Sequence, residues 1–309
     1  MNRESLEPAM TQSKKPILIA VAGPKGGVGK SFLALNLAAA LASLRPGVIL
    51  ADLDLGGANL HVMMGLSGLN TGISGFINDK AELADLTHET PVKGLRLLPG
   101  SSDSLGLANL LQWQKVKLIK HLKELPAEIV VLDLGAGSTY NTLDFYDSAH
   151  TGILVLTPEL TSALNTYSFV KSLLFRKLPA ALKPKKFTAA REFLERAMAD
   201  NRDQRSVPEL IGEISSLDAQ AAELMQGVVE DLKPRLILNM IDHPKQAKII
   251  EALDRLARRR LGVEFGLLGQ VPYDPKARLS IHRMKPLYPD EPDSPAGLAL
   301  SAMAADLAP

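Results

Sequence analysis

None of the 309 residues is cysteine. That absence excludes a disulfide framework, a Cys-ligated zinc site, a Cys-ligated iron–sulfur cluster and a cysteine nucleophile. It is in keeping with a reducing compartment. Aromatic residues make up only 5% of the chain, with a single tryptophan, Trp113. Neither sign of charge dominates: 35 Lys and Arg stand against 34 Asp and Glu, a formal net charge of +1. Chain-wide attraction to nucleic acid or anionic lipid is therefore not expected, and any such binding must come from a local patch. No stretch approaches the roughly 18 uninterrupted apolar residues of a membrane-spanning helix, so no integral membrane contact is expected. Residues 1–15 are polar and lack the apolar core of a signal peptide; they are expected to form a disordered tail on a cytoplasmic protein. The six histidines show no metal-ligand spacing, and no internal repeat or low-complexity tract is present.

What the chain does have is globular usage, 46% apolar and 22% charged. Short apolar runs at 16–22, 47–54, 94–100, 128–137, 150–158, 234–241 and 264–272 alternate with helical periods at 30–44, 110–125, 161–177 and 245–260. Near-continuous apolar strands separated by helices predict an α/β fold: a mostly parallel sheet with helices on both faces. One domain, 16–309, can hold all of it. Residues 179–233 are charged, carry no strand signal and show helical periods at 187–199, 207–217 and 219–232, which predicts a helical insertion.

The strongest motif is VAGPKGGVGKS, Val21–Ser31, between a predicted strand and a predicted helix. Gly26, Gly27 and Gly29 let the backbone fold tightly and turn N–H groups toward phosphate oxygens. The helix that begins near Lys30 aims its positive dipole end at the same place. Lys30 would neutralise β/γ-phosphate charge and the Ser31 hydroxyl would ligate Mg²⁺. The strict phosphate-loop pattern has glycine where this chain has Pro24, and a second lysine, Lys25, follows it.

Carboxylates stand at two strand ends. Asp52 and Asp54 are two apart and in a regular strand would share a face; either could instead cap the turn that follows. Asp133 closes an apolar strand, where an unpaired carboxylate is costly. A water-bridged Mg²⁺ would partner it, or it could be a helix N-cap. Asn239 ends a late strand, where its amide offers both a donor and an acceptor; a turn asparagine is the alternative.

The run KGGVGKS resembles the deviant Walker A motif of the MinD/ParA family of P-loop ATPases. ADLDLGGANLHVMMGL, Ala51–Leu66, resembles that family's switch I, and VVLDLGAG, Val130–Gly137, its Walker B and switch II element. The resemblance covers about 16–177 and 234–307. It implies a P-loop NTPase fold, hydrolysis of ATP to ADP and phosphate, ATP and Mg²⁺ as cofactors, and an ATP-dependent homodimer. By the same resemblance, Gly26, Gly27, Val28, Gly29, Lys30, Ser31 and Phe32 hold the nucleotide, and Lys25 reaches across the dimer to the partner's ATP. Asp54 orients or deprotonates the attacking water, while Ser31, Asp52 and Asp133 serve the metal. Gly135 and Gly137 let the switch move, Asn239 reads adenine, and the loop 271–275, with Pro272 and Tyr273, packs over the base.

Within the family, DLDLGGANLHVMMGL, the GLRLLPG strand with its Ser-rich continuation, LGAG, ILNM and GQVPYDP are most similar to the flagellar number regulators of the FlhG/FleN kind. Two features depart from them. Residues 1–15 contain no activation motif with Asp-Gln and Leu-Arg, and the last predicted helix lacks the basic residues of a membrane-surface helix. Peripheral membrane binding is therefore not expected. The implied function is a switch that positions or counts a cellular assembly, flagellar or polar. One alternative is a partition ATPase binding DNA through Arg255 and Arg258–Arg260 with Lys245 and Lys248, although helix-end solvation of these cations is favoured. Another is a nonhydrolysing scaffold, held by ATP, that recruits a protein partner through 179–233. Lys115, Lys117, Lys120 and Lys123 are expected on a solvated helix face. Trp113 fits either a partner contact or a core filler.

Overall fold

Five of the strands are short apolar segments whose residues are almost all buried. A strand covered on both faces needs no polar alternation. β1 (Ile17–Ala22), β2 (Val48–Leu53), β5 (Ile129–Leu134), β6 (Thr151–Leu156) and β7 (Arg235–Ile241) form the middle of an eight-stranded sheet. β3 (His88–Glu89), β4 (Leu95–Leu98) and β8 (Gly266–Pro272) complete it in the order β3-β4-β2-β5-β1-β6-β7-β8. Every neighbouring pair is parallel except β3–β4. The computed structural model describes residues 15–69, 72–78, 81–100, 110–200, 202 and 204–308. The tail expected over residues 1–15, apart from Lys15, and the Ser-rich continuation after Gly100 lie outside them.

Two apolar layers lie on the two faces of the sheet. Along β1, Leu18, Ala20 and Ala22 join one layer while Ile19 and Val21 join the other, the period of two that a strand imposes. Helix α1 (Lys30–Leu44) occupies the second face. It is apolar all round and buried on most sides, as a helix enclosed between a sheet and a further helix must be. The covering helix is α13 (Pro295–Leu307), which starts with Ser294 capping the Gly297 N–H at 3.1 Å. Short helices α2 (Leu60–Met63), α11 (Pro275–His282) and α12 (Leu287–Asp290) lie on the same side of the chain's organisation, and Leu60 and Leu287 are buried in this layer.

The first face is covered by α3 (Ile73–Asn78), α4 (Gln112–Leu122), α5 (Tyr140–Ser148), α6 (Leu160–Ala181) and α10 (Lys248–Leu261). Here the predicted insertion differs from expectation in two ways. α6 continues through Pro179 to Ala181, even though proline at that position removes one helical hydrogen bond. Beyond it, α7 (Thr188–Ala199), α8 (Val207–Leu217) and α9 (Ala219–Asp231) pack on α6 and α10. Leu194, Leu210, Ile214, Met225 and Val229 are buried in the same layer as Leu18 and Leu132. The apolar seam at Leu210 and Ile214 thus faces inward, and Leu217 alone of that trio is outside, 62% exposed.

Candidate functional site

In an open parallel sheet, ligands bind beyond the carboxyl ends of the strands. Each predicted site residue lies at such an end, in the loop that follows or, for Lys30, Ser31 and Phe32, in the first turn of the helix beyond. Between β1 and α1, Gly29 sits at φ 86°, a conformation open to glycine at no cost, and directs the chain into the helix. Lys30 is buried there. Its Nζ donates to Asp133 Oδ1 at 3.0 Å and to Ser31 Oγ at 3.1 Å, and lies 4.0 Å from Asp54 Oδ2. The loop following β5 is tied to the same place, since the Gly137 N–H donates to the Gly23 carbonyl at 3.2 Å. Lys25, Gly26 and Gly27 are exposed on the crest of the loop. No protein atom lies within 4 Å of where a Cβ on Gly26 or Gly27 would stand, which leaves an open cradle above the backbone.

The three aspartates differ in environment. Asp52 and Asp133 are register partners on β2 and β5 and are both buried. Asp52 accepts the N–H of Asp54 and of Leu60, each at 3.2 Å, so it holds the turn after β2 as the capping alternative supposed. Burial, then the Asp133 charge, push its carboxyl up to about 7. Burial raises Asp133 as well, against the lowering effects of Lys30 and of a Ser31 hydrogen bond. Asp54 stands just past the strand, 34% exposed. A Cβ on Gly135 would lie 3.3 Å from its Oδ1, so switch I and switch II positions meet at this carboxylate.

Two carboxylates, Asp54 and Asp133, face the one buried ammonium of Lys30, and Asp52 lies beside Asp133 across the strand pair, a cluster of acidic groups that a divalent cation would balance. Among the described residues, no group of three His, Asp, Glu or Cys side chains could hold a metal unaided. That donor set suits Mg²⁺, which keeps several waters and is bound by one or two carboxylates together with substrate phosphates. Ser31 and Asp133 both lie against Lys30 Nζ, and Asp52 is the register partner of Asp133, so the oxygens that such an ion would need are close together here.

Beside the loop is an apolar cavity of about 360 Å³, lined by Phe32, Asn239, Val271, Pro272, Tyr273 and Ile281 among others. The structure therefore brings Asn239, Pro272 and Tyr273 together next to Phe32, at the place expected for a base. Asn239 differs in one respect from expectation. Its Nδ2 donates to the Val28 carbonyl at 2.9 Å, so one of the amide's two N–H donors is engaged with the phosphate loop, which leaves the other and the oxygen for further partners. Ala277, Arg278 and Ile281, on α11, also line this cavity and carried no motif signal. Neither did Met240, which follows Asn239 at φ 59°, a strained conformation for a side chain of this type.

The two basic runs also resolve. Arg258 pairs with Asp254 at 2.6 Å and Glu264 at 2.5 Å, Arg255 with Glu251 at 3.9 Å, and Arg260 donates to the Gln204 carbonyl at 2.5 Å. Three cations of the second run are thus engaged with neighbours on their own surface. Lys115 corrects the sequence reading outright. It is only 3% exposed, pairs with Asp144 on α5 and donates to Asn141 Oδ1 at 3.3 Å. The partner lies 29 residues further along the chain, so helical spacing could not reveal it. Trp113 is no core filler: it is 60% exposed.

Comparison with known proteins agrees with this geometry. A family model described as the CobQ/CobB/MinD/ParA nucleotide binding domain matches residues 19–287. The antiactivator FleN of Pseudomonas aeruginosa is 28% identical over 290 residues, covering 93% of this chain and 84% of that one. The flagellum site-determining protein YlxH of Helicobacter pylori is 29% identical over 155 residues, 50% of this chain and 52% of its own length. Among solved structures, the cell division ATPase MinD of Pyrococcus furiosus superposes with a TM-score of 0.63 at 19% identity, covering 94% of this chain and 98% of that one. The septum site-determining protein MinD of Pyrococcus horikoshii, complexed with Mg-ADP, gives 0.63 at 21% identity and covers 94% and 96%. At these identities the structural likeness shows the fold.

Proposed function

The chain belongs to the CobQ/CobB/MinD/ParA nucleotide-binding family and is an ATPase that takes ATP with Mg²⁺, and from that premise we propose that it is a dimerisation switch whose ATP state positions or counts a cellular assembly. ATP closes a homodimer across the phosphates, and slow hydrolysis reopens it. Among the assemblies a positional switch could serve, the flagellar one is favoured, because similarity to FleN runs through nearly the whole chain and YlxH is named for determining the flagellum site.

The observation that carries the reading is the division of labour between two lysines. Lys30 is committed within its own protomer to Asp133 and Ser31. Lys25 stands exposed on the loop crest. A cation there can reach a phosphate on a facing copy, where charge develops on the γ-phosphoryl and its bridge. Lys30 and the N–H groups of the loop hold the β/γ-phosphates. Asp54, beside Lys30 and partly open to solvent, orients the attacking water; a loose transition state needs positioning more than a strong base. Mg²⁺, when bound through Ser31, Asp133 and Asp52, neutralises charge on the transferring group. Phe32, Pro272 and Tyr273 enclose the base, and the Asn239 oxygen accepts from it.

The experiment compares Lys25→Ala and Asp54→Ala by sizing in ATP and by phosphate release. Lys25→Ala should bind ATP and stay monomeric. Asp54→Ala should form a dimer that persists, with turnover lowered by on the order of 10²-fold, the scale of a positioned acid–base group. A normal ATP dimer in Lys25→Ala would refute the cross-dimer role. A wild type with no turnover alongside every cofactor would turn the reading toward an ATP-held scaffold. Among the described residues no helix is long and apolar enough to cross a membrane.

A further inference from the structure

Helix α4 presents a surface that the nucleotide site does not use. Trp113, Val116, Lys120 and Lys123 recur at i, i+3, i+7 and i+10, one stripe of a helix. Lys115, Leu118 and Leu122 are buried on the opposite side, and Trp113 and Val116 are both exposed. The stripe runs beside a cleft of about 530 Å³ between the start of α4 and the start of α5, lined by Leu110, Gln112, Ser138, Thr139, Tyr140 and Arg176 among others. Tyr140 is 72% exposed. Its ring is nevertheless fixed: the Arg176 guanidinium stacks 4.9 Å from the ring centroid and is itself held by two hydrogen bonds to Asp144, at 2.7 and 2.9 Å. Asp144 is the carboxylate that buries Lys115. The chain thus spends an ion-paired cluster on locking together the two helices that display its most exposed aromatic side chains.

We infer that the α4 stripe and the adjoining cleft are a docking surface for a protein segment that carries apolar or aromatic anchors flanked by acidic side chains. Rigid, exposed aromatic groups beside a cleft are the usual anchors of protein interfaces, and their fixed rotamers lower the entropic cost of binding. Charge decides the occupant. The stripe itself carries two lysines, Lys120 and Lys123, and no acidic residue. A two-fold contact of this stripe with a second copy would set lysine against lysine, whereas an acidic segment is complementary to it. The cleft's other wall is Ser138–Asn141, the segment directly after Gly137, so the surface adjoins the loop that follows Asp133.

Trp113 is the chain's single tryptophan, so its emission reports the surface directly. The full chain is titrated with a synthetic peptide of alternating phenylalanine, leucine and glutamate, and with a control in which lysine replaces each glutamate. The glutamate peptide should give a saturable blue shift. Its affinity should fall by at least about tenfold in Lys120→Glu/Lys123→Glu, the effect of losing two complementary charges. Val116→Asp should weaken it without touching a lysine. ATP affinity, carried elsewhere, reports that both variants are folded. An emission that does not move, or moves equally with the lysine peptide, overturns the inference. So does the same shift from ATP alone or from phosphatidylglycerol vesicles alone, which would assign the face to a second copy or to a bilayer.

Discussion

The side chain of Asn239 donates a hydrogen bond to the carbonyl of Val28, tying the end of β7 to a phosphate loop 211 residues earlier in sequence. The contact is buried, and it joins the part of the site that receives the base to the part that receives the phosphates. Asn239→Ala should therefore weaken ATP binding through the loop as well as through the base. The loss of one buried hydrogen bond predicts an effect of about 1–3 kcal/mol. Calorimetric titration with inorganic triphosphate, which has no base, separates the two: weakened triphosphate binding marks the tether, and an unchanged value would leave only a base contact.

The pKa of Asp52 predicts a pH effect of definite sign. Burial and Asp133 raise it from 3.8 to about 7. The folded chain then keeps a proton that the unfolded chain releases, so this residue's contribution is fullest below pH 4 and is lost as pH rises toward 7. Asp52→Asn removes the titration. Its melting temperature, without nucleotide or Mg²⁺, should gain on the wild type between pH 5 and pH 8. Parallel curves across that window would show that Asp52 does not hold the proton.

Lys30→Met should abolish tight ATP binding, and it should also leave the Asp133 carboxylate buried without its cation. Breaking a buried pair at one partner costs about 3–5 kcal/mol. Urea unfolding of the nucleotide-free variant should show a loss of that order that shrinks as pH is lowered and the carboxyl takes up a proton. A pH-independent loss would point to packing alone.

Residues 182–233 complete the core of one face, so their excision should unfold the chain and not merely remove a partner. Point variants test this gently. Ile214→Ala and Met225→Ala, both fully buried, should each cost about 2–5 kcal/mol in denaturant unfolding. Leu217→Ala, exposed on the same helix as Ile214, should stay within about 0.5 kcal/mol. Equal, small effects at all three would make the segment an independent appendage.

What could be read in the sequence follows from how far each signal reaches. Seven of the eight strands were legible because burial makes a strand apolar with little interruption, while β3, the two residues His88 and Glu89, carried no such run; the phosphate loop was legible because Gly26, Gly27, Gly29, Lys30 and Ser31 act within a few residues of one another. Helices α7 to α9 were visible from their seams, but not the direction those seams face, because their cover comes from α6 and α10. Lys115 was misread for the same reason: its partner is on another helix. Ala277 and Ile281 were invisible, since a wall of a cavity needs only to be apolar and in place.

The glycines of the phosphate loop sort into separable alleles. At Gly29, φ is 86° and a Cβ would lie 2.3 Å from Asn239 Nδ2. A substitution there disturbs backbone, tether and ligand together, and its phenotype cannot be assigned to one of them. Above Gly26 only open space stands, with an ordinary backbone angle beneath it. Gly26→Ala would put a methyl group where no protein atom lies within 4 Å and where the proposed reading places the phosphates. In a cell it should behave as a well-folded, abundant protein blind to its nucleotide, and any trait it loses belongs to the ATP-bound state.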